Sequence, residues 1–335
     1  MDIFDLLGIN QVLEWGKEII GIKSSKEDKP IYHPEEIKPI KFSFRPENLN
    51  QYIGQENAKK LINLTIKKIK TLKPVHIIIS GSKGCGKSTL ANIIENELGF
   101  NMVWHIGGAF TMRALEQFLI RNQDSDIPLI LFIDEIHNLP KEIAEYLYPI
   151  IEDFILPNGS NQKLRRFIFI GATTEKNILI KKFAPLVDRC GADLILEPYK
   201  KEDMVKIIQQ ANDILYKKNI DISLFEKIAE NCRFTPRIAL SMLDDLIVSE
   251  DIDLVLSSRR IIKNSLTDID IRILNHLAEV NKPVGVEALA MIAGITREDY
   301  SYILEPFLIY NNYLTRTARG RLISNKGKLL LQELK

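Results

Sequence analysis

Apolar residues follow two rhythms along this chain. From Arg45 onward, short runs with almost no polar interruption recur at His76–Ser80, Leu129–Ile133, Phe167–Gly171 and Ala192–Leu196. Between them lie longer stretches, beginning near Asn57, Lys87, Met112 and Lys141, in which apolar positions recur every three or four residues. Continuous apolar runs suit strands buried on both faces, and their alternation with helical patterns predicts an α/β fold with a parallel sheet. After Pro198 the strand pattern stops. Glu202–Tyr216, Leu224–Asn231 and Pro236–Val248 carry the helical period and predict a small all-α unit. From about Ile262 helical patterns lead into NNYLTRTARGRLIS, two short strands around a basic turn. The organisation expected is thus 41–197 for the sheet domain, 198–261 for a helical lid and 262–335 for a third unit, behind an N-terminal segment of residues 1–40.

That segment has its own pattern. MDIFDLLGINQVLEWGKEIIGIK places Ile3, Phe4, Leu7, Val12, Leu13, Ile19 and Ile20 on one side of an amphipathic helix. Such a helix can pack on its own protein, dock a partner or lie on a membrane surface. Asp2 and Asp5 stand where a secretion signal is basic, and no small-residue cleavage site follows. The polar, proline-punctuated SSKEDKPIYHPEEIKP after it is expected to be a linker.

Composition narrows the function. No run reaches the roughly 18 apolar residues that a membrane span needs. Formal charge is +1, from 45 basic and 44 acidic residues, so any contact with nucleic acid must come from a local patch. Cys85, Cys190 and Cys232 form no CxxC pair, which argues against a zinc site or a disulfide framework and suits a reducing, cytoplasmic setting.

The chemistry is concentrated at strand ends. GSKGCGKS, Gly81 to Ser88, follows a strand and opens a helix, as the G-x-x-x-x-G-K-[ST] phosphate loop requires. Gly84 and Gly86 permit the backbone conformations that turn N–H groups toward a phosphate, and the helix start adds its positive end. In such a loop Lys87 reaches the β- and γ-phosphates and Ser88 ligates Mg²⁺. LILFIDEIH then ends a strand on Asp134, suited to hold Mg²⁺, and Glu135, suited to orient or deprotonate the attacking water. FIFIGATT ends another strand on two threonines. Thr174 is the expected γ-phosphate sensor, capping of the turn being the other role open to such a hydroxyl. Arg189 in PLVDRCG and Arg237 in FTPRIAL stand out, the second at the start of a lid helix. Each is either a surface ion pair or a functional cation.

These motifs in this order resemble an AAA+ ATPase. RPENLNQYIGQENAKKLI, LYPIIEDF, NKPVGVEALA and LEPFLIYNNYLTRTARGR bring the resemblance to the RuvB family of Holliday-junction branch-migration motors, over about residues 43 to 335. The resemblance implies ATP and Mg²⁺ as ligands and a lid and winged helix as the second and third domains. Arg45, Tyr52 and Ile53 would lie at adenine and ribose, with Tyr199 closing the base pocket, and Gly84, Lys87, Ser88 and Thr89 would hold phosphates and Mg²⁺. It further implies that Arg189 is an arginine finger acting in a neighbouring subunit's site, that Arg237 is the sensor arginine of the lid, and that the assembly is a hexameric ring around duplex or branched DNA. Arg316, Arg319 and Arg321 would contact DNA from the wing, where a solvated basic turn is the alternative.

Three departures set this chain apart from that family. Only ILPNGSNQKLRR separates Phe154 from the next strand, where the family carries a longer hairpin that its RuvA partner grips, which argues against a partner of RuvA type. The family's LRDRFG is here LVDRCG, with Val187 and Cys190 as the changes. Residues 1–40 have no counterpart and are a candidate site for a protein partner. The expected function is an ATP-driven DNA motor in a divergent branch of the family. The alternative is an AAA+ ATPase that remodels or regulates a protein recruited through the N-terminal helix.

Overall fold

Strands of Ile, Leu and Phe with no polar face must be covered on both sides, and this decides where each strand of the sheet sits. The structure, a computed structural model, describes residues 44–157 and 162–334; the expected helix and linker of residues 1–40 lie outside them. β1 (Ile77–Gly81), β3 (Leu129–Asp134) and β4 (Ile168–Thr173) are buried along nearly their whole length. β2 (Asn101–Ile106) and β5 (Ala192–Leu196), with exposed positions, take the two edges of a parallel sheet ordered β2-β3-β4-β1-β5. β2 was absent from the hydrophobic pattern because NMVWHI interleaves Asn101 and His105 with its apolar residues, as a half-covered edge strand allows.

Alternate residues of each strand feed opposite layers. Ile77 and Ile79 join a core with α1 (Glu56–Thr71) and α2 (Lys87–Leu98). Ile78, between them, points to the core built with α3 (Met112–Asp124), α4 (Lys141–Asp153) and α5 (Lys176–Asp188). β1 lies between β4 and β5 while its following crossover leads to β2 at the far edge, so the chain reverses its winding at β1. Ligands in such sheets bind beyond the carboxyl ends of the strands flanking that reversal.

The lid is built of α6 (Lys201–Ala211), α7 (Ile222–Asn231), α8 (Pro236–Ser249) and α9 (Ile252–Ser258). The fourth of these is too short to show a period in the sequence. The third domain is a winged helix. It runs from β6 (Ile261–Lys263) and β7 (Leu266–Thr267) through α10 (Asp268–Val280), α11 (Val286–Ala293), α12 (Arg297–Asp299) and α13 (Glu305–Tyr310). The wing hairpin of β8 (Leu314–Thr317) and β9 (Gly320–Ile323) follows, and then α14 (Asn325–Glu333). Val284 bridges to Arg321 and so adds a third backbone segment to the hairpin. No helix among the described residues is long and apolar enough to cross a membrane.

Candidate functional site

The loop from β1 to α2 is shaped by two glycines. Gly84 and Gly86 have φ of +80° and +101°, a region that side chains with a Cβ rarely enter. Gly84 is needed for space as well, since a Cβ there would stand 2.7 Å from Thr235 Cγ2 of the lid. α2 starts at Lys87 with no side-chain cap, which leaves its first N–H groups available to an anion. Lys87 is buried, and its Nζ donates to Gly81 O at 3.0 Å and Ser82 O at 3.1 Å, so the ammonium is held over the loop it belongs to.

Asp134 and Glu135 follow at the end of β3. Asp134 Oδ1 accepts from Glu135 N at 2.9 Å. Burial pushes the Asp134 carboxyl above its ordinary pKa, against the opposing pull of that backbone bond and of Lys87 and Arg237 nearby. Glu135 itself has φ 47° and ψ 48°, a left-handed conformation that is costly for a residue with a side chain and that clusters at functional sites. That turn carries its carboxylate across to the end of β4, where Thr174 donates to Oε2 from Oγ1 at 2.8 Å and from N at 3.3 Å. The two threonines thus divide the roles left open by the sequence. Thr173 Oγ1 accepts from Glu175 N at 2.9 Å and caps the turn, and Thr174 is engaged with the carboxylate.

The lid closes a second pocket. Tyr52, Ile53, Thr89 and Tyr199 line a small cavity with Phe44, Gln210 and Pro236. Burial raises the Tyr52 phenol well above its usual pKa and Tyr199 to about 12, so both rings present neutral hydroxyls. Gln210 Oε1 is buried there with no hydrogen-bond partner, an unmet acceptor suited to an N–H of a base edge. The Tyr52 hydroxyl is likewise buried without a partner, and largely apolar walls with two unmet polar atoms fit a nucleobase, although at about 60 Å³ the cavity must widen to admit one. Arg45 stands exposed between Phe44 and Pro46 and does not line it. Phe44, Gln210 and Pro236 escaped the sequence reading because pocket walls obey no spacing rule. Pro236 and Phe44 each had a neighbour that marked it, Arg237 and Arg45.

The two lone arginines part company. Arg237 opens α8 with its Cβ packed beside Gly84, which places it at the phosphate loop. Arg189, past the end of α5, donates to Glu152 Oε2 at 2.7 Å and to Pro185 O at 2.8 Å and lies 5.4 Å from the Tyr148 ring centre. These contacts hold it on α4 and α5, and it does not join the phosphate loop of its own chain. Cys190 packs into the adjacent core, and burial raises its thiol to about 12, which makes it an inert apolar filler.

On the wing the expectation of three available arginines needs correction. Arg321 donates to Glu305 Oε1 at 2.7 Å and Arg316 donates to Oε2 at 2.8 Å, around a carboxylate with no exposed surface. Burial alone would raise Glu305, and the bonds from Arg321 and Arg316 outweigh it and hold its pKa below the ordinary value. Arg321, at 15% exposure, is a structural ion-pair partner that offers no free cation to DNA. Arg316, 59% exposed, keeps one face outward, and Arg319 stands exposed at the hairpin tip.

With this geometry in hand, the comparisons agree. Residues 44–196 match the P-loop domain of the Holliday junction DNA helicase RuvB, and residues 263–332 match the RuvB C-terminal winged-helix domain. The Holliday junction branch migration complex subunit RuvB of Thermosipho melanesiensis is 34% identical over 308 residues, spanning 83% of this chain and 95% of that protein. The Campylobacter lari subunit is 36% identical over 309 residues, spanning 85% and 90%. Among solved structures, the Thermotoga maritima RuvB branch migration motor superposes with a TM-score of 0.73 at 33% identity, covering 86% of this chain and 98% of that one. A nucleotide loop of this shape, a glutamate clamped beside it and a winged helix at the far end are thus combined in a chain that belongs to the RuvB family of AAA+ P-loop ATPases.

Proposed function

We propose that this chain is a motor subunit that uses ATP to move duplex DNA at branched junctions, working as a ring. The observation that carries the reading is the Glu135 carboxylate, turned by its left-handed backbone onto Thr174 beside Asp134 and Lys87. In this reading Lys87 and the N–H groups of Gly84, Gly86 and Ser88 hold the phosphates, and Glu135, kept in place by Thr174, orients the attacking water. Tyr52, Ile53, Thr89 and Tyr199 enclose the base, and Arg237 carries the phosphate state into the lid. Ser88 and Asp134 are the donor set for Mg²⁺: an oxygen pair in which the carboxyl is partly desolvated and holds only a backbone N–H fits that hard cation. When bound, Mg²⁺ neutralises charge on the phosphate oxygens.

Arg189 is the residue that makes a ring necessary. Its guanidinium is held by Glu152 on the side of the domain away from its own phosphate loop contacts, which suits a cation offered to a neighbouring subunit. A six-subunit ring is the arrangement this family resemblance supports. After α4 the chain pairs back on itself, with Leu156 N donating to Gln162 O and Leu164 N to Phe154 O, and residues 158–161 lie outside the described residues. A partner that grips a long hairpin has little to hold there, so loading onto DNA falls to the wing or to a partner of residues 1–40.

The deciding experiment is the ATPase rate alone, with linear duplex and with a four-way junction, over a salt series. Junction stimulation that fades as salt rises is the expected result, because phosphate contacts release counterions. Steady turnover indifferent to DNA at every salt would overturn the motor reading in favour of a protein-remodelling ATPase.

A further inference from the structure

The winged-helix domain reaches the hydrolytic end of the site through a side chain that none of the motifs accounts for. Tyr302 lies in the π-helical turn Tyr300–Leu304 between α12 and α13. The wider turn lets Tyr300 enter the domain core, fully buried, while Tyr302 and Ile303 face outward. With Phe307 and Tyr310 they form one wall of a cavity of about 250 Å³ whose opposite wall includes Ser82, Lys83 and Arg237.

The Tyr302 hydroxyl donates to Glu175 Oε1. The same oxygen is 3.5 Å from His137 Nε2. The other ring nitrogen, Nδ1, is 3.0 Å from Thr173 Oγ1 and 3.4 Å from Glu135 Oε2. Polar contacts therefore run without a break from the winged helix to the carboxylate that faces the phosphate loop. His137 is further fixed by its backbone, where Lys182 Nζ donates to His137 O at 3.3 Å.

We infer that Tyr302, Glu175 and His137 are positioning residues for Glu135, and that through them the attitude of the winged helix sets turnover in its own chain. The inference rests on Glu135 being the residue that orients water. While Tyr302 holds Glu175, the carboxylate fixes the imidazole, and the ring edge keeps Glu135 on Thr174. When the winged helix withdraws Tyr302, Glu175 loses its anchor, the ring can turn, and Glu135 loses one side of its support. The same domain holds the other flank of the site. Arg233, with φ 50°, is paired with Asp270, and the Phe234 ring, with φ 56°, lies 4.9 Å from Tyr310, both just ahead of Thr235 and Arg237. A shift of the winged helix is thus felt at the water side and the lid side together.

Tyr302→Phe keeps the ring and removes the hydroxyl, and Glu175→Gln keeps the shape and removes the charge. In the full chain with saturating duplex DNA, each is expected to lower kcat roughly tenfold, the worth of one charge-assisted hydrogen bond, with KM for ATP nearly unchanged. The double variant is expected to lose no more than the worse single one, because both act through the same link. An unchanged kcat in either single variant, a matching rise in KM, or effects that multiply would each overturn the inference. Glu135→Gln, measured in parallel, separates the two readings. If it turns over normally, the role given to Glu135 is wrong, whatever Tyr302→Phe does.

Discussion

The phosphate loop and the wing both carry the basic residues that a reader of the sequence would pick, and the fold treats them differently. At the loop, Lys87, Asp134, Glu135 and Arg237 converge from two strand ends and a lid helix. At the wing, two of three arginines turn inward on Glu305, and together with that carboxylate the triplet keeps two net positive charges. The difference lies in what fixes each residue. A phosphate dictates the spacing of glycine, lysine and hydroxyl, so the motif cannot be satisfied by any other arrangement. A basic hairpin dictates nothing about which face its charges take, and a buried carboxylate nearby claims them.

The comparison can be broken most severely at the loop. Glu135→Gln is expected to bind ATP with little change and to lose about 10²- to 10⁴-fold in kcat, measured by steady-state ATPase and by nucleotide binding on one preparation. Normal turnover there would mean that this end of the site is no more constrained than the wing. At the wing, Arg321→Ala leaves Glu305 buried with half its partners, and it is expected to destabilise the winged helix by about 3 kcal/mol in denaturant unfolding. A loss under about 0.5 kcal/mol would return Arg321 to the surface charges.

A pH series tests the frame beneath the loop. His76, at the start of β1, has Nε2 2.7 Å from Ile151 O and accepts from Phe169 N at Nδ1, and burial lowers its pKa to about 4. The folded protein therefore takes this proton later than the unfolded chain, whose histidine titrates near 6.5. The stability it confers is whole above about pH 6.5 and falls by roughly 3 kcal/mol as the pH drops to about 4, and His76→Gln should flatten that slope in unfolding experiments. The smallest effect sharpens the contrast within the wing itself. Arg319→Ala should leave stability unchanged and reduce the salt slope of DNA binding by about 1 for each bound wing. An unchanged slope would take the hairpin tip out of the DNA contact.

Much of this architecture was legible, and the gaps have physical causes. β1, β3 and β4 showed as apolar runs because a central parallel strand admits no polar face, and β5, at the other edge, showed because Asp193 is the single polar residue in ADLIL. β2 did not, because an edge strand admits the exposed Asn101 and the half-buried His105 among its apolar residues. The pairing on the wing left a signal that went unused: Glu305 in LEPFLIY is a lone acid in an apolar run, and such a residue is buried only with cations around it. Thr174 was the threonine expected to face the phosphate, but its bond to Glu135 had no signal in the sequence, since it depends on the left-handed turn at Glu135. Gln210 had no signal at all, its importance lying in a bond it does not make.

The start of α8 places three consecutive residues on both ends of the nucleotide site: the Thr235 methyl against Gly84, Pro236 in the base pocket and Arg237 beside the phosphate loop. Under the proposed function, one rigid helix end would touch base and phosphates together. A bare polyphosphate or a free nucleoside would then meet only one side of that helix end.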